Sequence, residues 1–178
     1  WKAQWLTMCE EAGVGAAECD GILTAQEGSV LGFLVFNVHT RSRCADSARI
    51  TSEPCLDEAE LLGSREDHLS CFVEASTIGG QTKSGNTAKR ARLEVPVVGH
   101  SYGLSGVPWA RAWLSLRKET GQCADVDGCL QREPLDDGSF GPGRISAGQA
   151  TIWMRYLLSL LGVDVEELRN VGSHSCKA

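Results

Sequence analysis

The sequence predicts an α+β fold, mainly helical, with a small three-stranded antiparallel sheet near residues 69–98. Three observations carry that expectation. Helical spacing of apolar residues dominates before residue 50 and after residue 108. Between them Ala91, Leu93, Val95 and Val97 alternate with Arg92, Glu94, Pro96 and Val98, the period of a half-buried strand. Hydrophobic residues make up 42% and charged residues 22% of 178, ordinary values for one globular domain.

Trp1 to Ala12 reads as a short helix closed by Gly13, and residues 1–27 as this helix plus a linker. Val30, Leu31, Leu34, Val35 and Val38 share a helical face in a run that is apolar nearly all round. Such a helix is buried, although the run alone also allows a strand. A helical piece at about 43–50 follows. Residues 53–67 set six acids against Arg65 and read as a solvated surface helix and loop. Leu69 to Thr77 is β-prone, and Gly79-Gly80 and Ser84-Gly85-Asn86 supply turn chemistry. Pro96 has no N–H to give a ladder, which places its strand at an edge or ends its pairing.

Pro108 suits a first helical position, Trp109, Ala112, Trp113 and Leu116 keep helical spacing, and Gly121 ends the pattern. Residues 122–145 read as a long, largely irregular connection. Ser146-Ala147-Gly148-Gln149 is a capping box. It opens a helix whose expected core face is Trp153, Tyr156, Leu157, Leu160 and Leu161, closed by Gly162. Asp164 to Leu168 adds a turn or two, and another element starts at Gly172.

Net charge is −6, which argues against an unspecific basic coat for nucleic acid but allows a local basic site. The longest apolar run, Val30 to Phe36, is far below the roughly 20 residues that span a bilayer, so no membrane partner is expected. The eight cysteines contain no Cys-x-x-Cys, and the four histidines complete no ligand set. The expectation is free thiols in a reducing compartment and no metal. No secretory signal is recognisable, and the chain reads as a piece of a longer protein.

Two short matches are set aside or kept as an alternative. Gly79-Gly80-Gln81-Thr82-Lys83-Ser84 lacks the glycines of a phosphate-binding loop, so no nucleotide cofactor is expected. Gly99-His100-Ser101-Tyr102-Gly103 fits the Gly-x-Ser-x-Gly elbow of serine hydrolases and follows a predicted strand. An elbow runs straight into a helix, whereas here Leu104 to Pro108 intervene. A hydrolase using Ser101 is the alternative from another class, and a glycine-rich connection is the plainer reading.

The third match is an ordered constellation. Arg43-Cys44-Ala45-Asp46 follows the buried helix, Lys83 lies between two predicted strands, and His174-Ser175-Cys176-Lys177 comes after the amphipathic helix. Arg41 precedes the first motif, and the basic run Lys89, Arg90 and Arg92 follows the second. From about residue 28 to 178 this order resembles the catalytic domain of the tyrosine recombinases, the phage-integrase family found in mobile elements. The resemblance implies DNA recombination and integration, the breaking and rejoining of duplex DNA by phosphoryl transfer. It implies catalytic roles for Arg43, Lys83, His174 and Lys177, support of Arg43 by Asp46, and DNA contacts by Arg41, Lys89, Arg90 and Arg92. It further implies self-association on DNA, no metal, no nucleotide cofactor, and an intracellular setting, nuclear or cytoplasmic, where the DNA is.

The chemistry suits these residue types. Attack on a phosphodiester gathers negative charge on the non-bridging oxygens, where forked guanidinium donors gain most in the transition state. A lysine beside the phosphate can protonate the leaving oxygen, and a histidine can donate or carry a proton. Two departures from the family stand out. Lys177 replaces an arginine and so loses the planar two-pronged contact. Neither Tyr102 nor Tyr156 sits where the family has its nucleophile, so this segment alone is expected to be inactive, either a truncated enzyme or a non-catalytic DNA-binding remnant.

Overall fold

Thr24 starts the helix around which the rest is built. Its hydroxyl accepts the Glu27 N–H at 3.3 Å, while the Glu27 carboxylate accepts the Thr24 N–H at 2.8 Å. This reciprocal cap opens α2 (Ala25–His39). The computed structural model describes residues 2–57, 71–78 and 94–172. In it every residue of α2 from Gly28 to Asn37 is buried, which settles the helix-or-strand ambiguity in favour of a helix enclosed on all sides. Its neighbours are α1 (Ala3–Ala17), α4 (Trp109–Glu119) and α6 (Ala147–Leu160). Close approach of α4 depends on Gly32, where a Cβ would overlap the Trp113 ring. Trp113 Nε1 donates to the Ser29 carbonyl at 3.1 Å, and Gln122 Nε2 to the Ser29 hydroxyl at 2.7 Å.

The first helix is longer than its glycines suggest. It passes Gly13 and Gly15 and ends at Ala17. Each helical glycine costs about 1 kcal/mol relative to alanine, and burial of Trp5, Leu6, Cys9 and Ala16 in the common core offsets that cost. The division drawn after residue 27 falls inside α2, and α1 shares one hydrophobic cluster with the later helices.

The three-stranded antiparallel sheet has the order β1 (Cys55–Leu56), β2 (Phe72–Ile78), β3 (Glu94–His100). Its first strand comes from the acidic stretch read as helix and loop. Within that stretch, residues 58–67 lie outside the described residues. Cys71, Val73, Ala75 and Thr77 point inward, and Val73 faces Gly99 across the ladder. Pro96 pairs opposite Ser76 on an edge strand, as its missing N–H requires.

Three further expectations change. The helical piece at 43–50 shortens to one turn, α3 (Cys44–Ser47). The connection 122–145 holds α5 (Ala124–Asp127) and a hairpin of β4 (Arg132–Pro134) with β5 (Phe140–Arg144). Arg132 braces that hairpin by donating to the Gly141 and Phe140 carbonyls, both at 2.7 Å, and Gln26 ties its tip to α2 through the Leu135 and Ser139 carbonyls. Helix α6 starts at the expected capping box but buries Ala150, Met154, Leu157 and Leu158. Tyr156 and Leu160, assigned to the core face, are 43% and 40% exposed. The last described helix is α7 (Val165–Leu168). Among the described residues no helix is long and apolar enough to cross a membrane.

Candidate functional site

Arg43 stands where α2 hands over to α3. Arg41 turns the chain with a left-handed φ of 52°, and Arg43 in extended conformation is the residue before the first turn of α3. The junction is fixed from inside. The Ser42 N–H donates to the Asn37 carbonyl at 3.0 Å, and the Ser47 hydroxyl to Asn37 Oδ1 at 2.6 Å. Asn37 is fully buried and closes its own balance by donating to the Phe33 carbonyl. The Arg43 carbonyl accepts the N–H groups of Asp46 and Ser47, both at 2.9 Å. Asp46 thus sits in the turn that Arg43 opens, and the two side chains form no ion pair among the described residues. Arg43 is half-buried and Arg41 exposed.

The other predicted site residues, Lys83, Lys89, Arg90, Arg92, His174 and Lys177, lie outside the described residues. The elements flanking them are described. Strands β2 and β3 pair up to Ile78 opposite Glu94, so Lys83 belongs to the connection of an antiparallel pair. The segment leading to His174 runs back along α6. Arg155 Nε donates to the Val171 carbonyl at 2.8 Å, and Gly172 comes up against Thr151. Helix α3 also packs on α6, so one helix neighbours both the Arg43 turn and the approach to His174.

A second cluster, which no motif announced, locks the same end of α2. Glu10 of α1 is 1% exposed, and its Oε1 lies 2.8 Å from His39 Nε2. Its other oxygen accepts the Leu104 N–H at 2.8 Å. The His39 ring stacks on Trp109 with centroids 4.9 Å apart and 11° between planes. Trp109 Nε1 donates to the His100 carbonyl at 3.1 Å. Gly99 and Gly103 are required here, since a Cβ on the first would press His39 and Thr40 and one on the second would overlap Glu10. The glycine-rich 99–103 stretch is therefore a packing device around a buried carboxylate and imidazole. Ser101 within it is 0% exposed, its N–H donates to the Cys71 carbonyl, and α4 begins eight residues later at Trp109. A hydrolytic elbow presents its serine exposed at the head of a helix, and these residues do not form that shape.

A third cluster fixes α4. Arg117 is 1% exposed, lies over the Trp113 ring, donates to both Glu53 oxygens at 2.8 and 2.9 Å, and reaches the Leu130 carbonyl. Glu53 also accepts the Ala124 N–H. These donors leave no charge buried alone, which is the condition for a tolerable interior arginine.

The seven described cysteines form no disulfide with one another, and among the described residues no three His, Cys, Asp or Glu side chains group as metal ligands. Burial, then the charge of Glu74, holds the Cys55 thiol above its ordinary range, and burial, then Asp127, does the same for Cys129. Both are thereby less nucleophilic. No protein-family model, curated protein or solved structure matches this chain.

Proposed function

We propose that this chain is part of a DNA strand transferase of the tyrosine-recombinase type, acting in site-specific recombination or integration. The observation that carries the reading is the order of three motifs along the chain relative to the described elements. Arg43-x-x-Asp46 opens a turn braced against the buried helix, Lys83 follows β2 in an antiparallel pair, and His174-x-x-Lys177 follows α6 and α7. In this reading Arg43 and Lys177 neutralise the non-bridging phosphate oxygens, Asp46 supports the turn that presents Arg43, Lys83 protonates the leaving oxygen, and His174 donates a hydrogen bond or relays a proton. Arg41, Lys89, Arg90 and Arg92 hold neighbouring phosphates of duplex DNA, on which copies assemble. The hydrolase alternative gains no support from a serine with no exposed surface.

The test uses a protein that carries this chain together with a downstream tyrosine-bearing segment, and a nicked suicide DNA substrate. Covalent protein–DNA attachment is expected. Arg43→Ala should lower its rate by about 10²–10³, the usual cost of one donor that acts mainly in the transition state. Attachment unaffected by Arg43→Ala, or no attachment by the unaltered protein, would refute the assignment.

A further inference from the structure

The N-terminal end of α2 borders a cleft of about 890 Å³, walled by α6, the C-terminal end of α4 and the tip of the β4–β5 hairpin. Glu27, Glu119, Asp136 and Asp137 line it, and among the described residues no Lys, Arg or His does. None of these four carboxylates is in an ion pair among the described residues. Apolar side chains in the same lining are open to solvent. Ile152 is 67% exposed, Leu135 40%, and Tyr156 meets Trp153 edge to face at 5.5 Å. Single exposed apolar residues need no explanation, but several around one concavity mark a binding surface.

From this charge complementarity and the apolar lining we infer that the cleft docks a basic peptide segment of a partner protein, one that alternates Arg or Lys with apolar residues. Its apolar side chains would lie on Ile152 and Trp153, and its guanidinium or ammonium groups would face Glu119 and Asp136. Glu27 is already engaged by Thr24 and Tyr156, and Asp137 by Ser139, so Glu119 and Asp136 are the two carboxylates left to meet the cations. Aromatic faces add attraction for a cation. Arg43 adjoins the other end of α2, which is about 22 Å long at 1.5 Å per residue. The cleft is thus separate from the Arg43 turn, and the inference does not rest on the strand-transferase reading.

The probe is a short fluorescein-labelled peptide of alternating arginine and leucine, with alternating glutamine and leucine as control, read by anisotropy. The basic peptide should bind at least roughly tenfold tighter than the control, as expected when anchors and charges act together. Glu119→Gln with Asp136→Asn should weaken it roughly fivefold, two rim charges at their usual worth. Ile152→Arg, at an exposed position, should weaken it further without lowering the melting temperature. Glu166→Gln with Glu167→Gln removes the same charge elsewhere and should leave binding unchanged. Equal binding of both peptides, no loss in the cleft variants, or equal loss in the distant pair would overturn the inference. Concentration-dependent self-association abolished by Ile152→Arg would assign the cleft to a second copy and overturn it too.

Discussion

Gly32→Ala and Gly13→Ala make the same chemical change in two helices and should move stability in opposite directions. In a helix interior alanine is favoured over glycine by about 0.8–1.0 kcal/mol. At Gly13 a Cβ meets nothing within 4 Å, so that gain should be realised. At Gly32 the new methyl would lie 2.8 Å from Trp113 Cβ and overlap the ring atoms Cγ and Cδ1. Trp113 has nowhere to go. It is 1% exposed, its Nε1 is bonded to the Ser29 carbonyl, and its ring meets Phe36 tilted at 5.2 Å and stacks on Trp109 at 6.2 Å. Overpacking a rigid core costs about 1–3 kcal/mol, and this site belongs near the top of that range. The net for Gly32→Ala is a loss of about 2 kcal/mol. For a chain this long that corresponds to a fall in melting temperature of roughly 4–8 °C, while Gly13→Ala should rise by roughly 2–4 °C. Urea unfolding followed by circular dichroism reads both, with unchanged m-values showing that the native state is what moved. A Gly32→Ala protein as stable as the unaltered one would refute the claim that α2 and α4 touch backbone to ring.

Three other outcomes follow from separate features. Glu53→Ala strands a buried guanidinium and should cost about 3–5 kcal/mol in urea unfolding, whereas Arg117→Met with Glu53→Gln, which removes both charges, should cost much less. Burial acts to raise the Glu27 carboxyl, but hydrogen bonds from Tyr156, the Thr24 N–H and the Thr24 hydroxyl outweigh it and hold it below its ordinary value. Stability from this group is present above the ordinary carboxylate range and is lost as pH falls through the lowered value; Tyr156→Phe should raise the Glu27 midpoint in an NMR titration, and an unmoved midpoint would deny the bond. Under the strand-transferase proposal, duplex DNA affinity should fall with salt, and Lys89→Ala with Arg90→Ala should flatten the log–log slope by about 2 if each holds one phosphate.

How far the sequence could be read depends on how many residues share each signal. The long apolar run of α2 and the capping box at Ser146 are local signals, and they appear where expected. Helix α1 outruns the end that Gly13 predicts because glycine propensity is a local quantity, whereas the burial that carries the helix to Ala17 is tertiary. The core face of α6 lies one step from the face its spacing predicts. Tyr156 and Leu157 adjoin, and only packing decides that Leu157 and Leu158 go in while Tyr156 turns out to Glu27. Strand β1 has two residues, too few for any period to show. At the candidate site Arg43 and Asp46 were legible as a motif, but the groups that set the turn, Asn37 and Ser47, carry no sequence signature. The Glu10–His39 contact joins residues 29 apart on two helices, and nothing in the spacing foretells it.

The place of α1 in the core has a consequence for how the chain is made. Its partner α4 begins at Trp109, 92 residues after α1 ends at Ala17. At roughly 5–20 residues per second of synthesis, α1 has α2 beside it but waits about 5–20 s for α4, its other helix partner. A helix with two glycines is weak on its own, so during that interval its apolar side chains are incompletely covered and open to holdase chaperones. Final closure of the core is therefore late and nonlocal, and a ribosome stalled before α4 would leave the nascent chain without it.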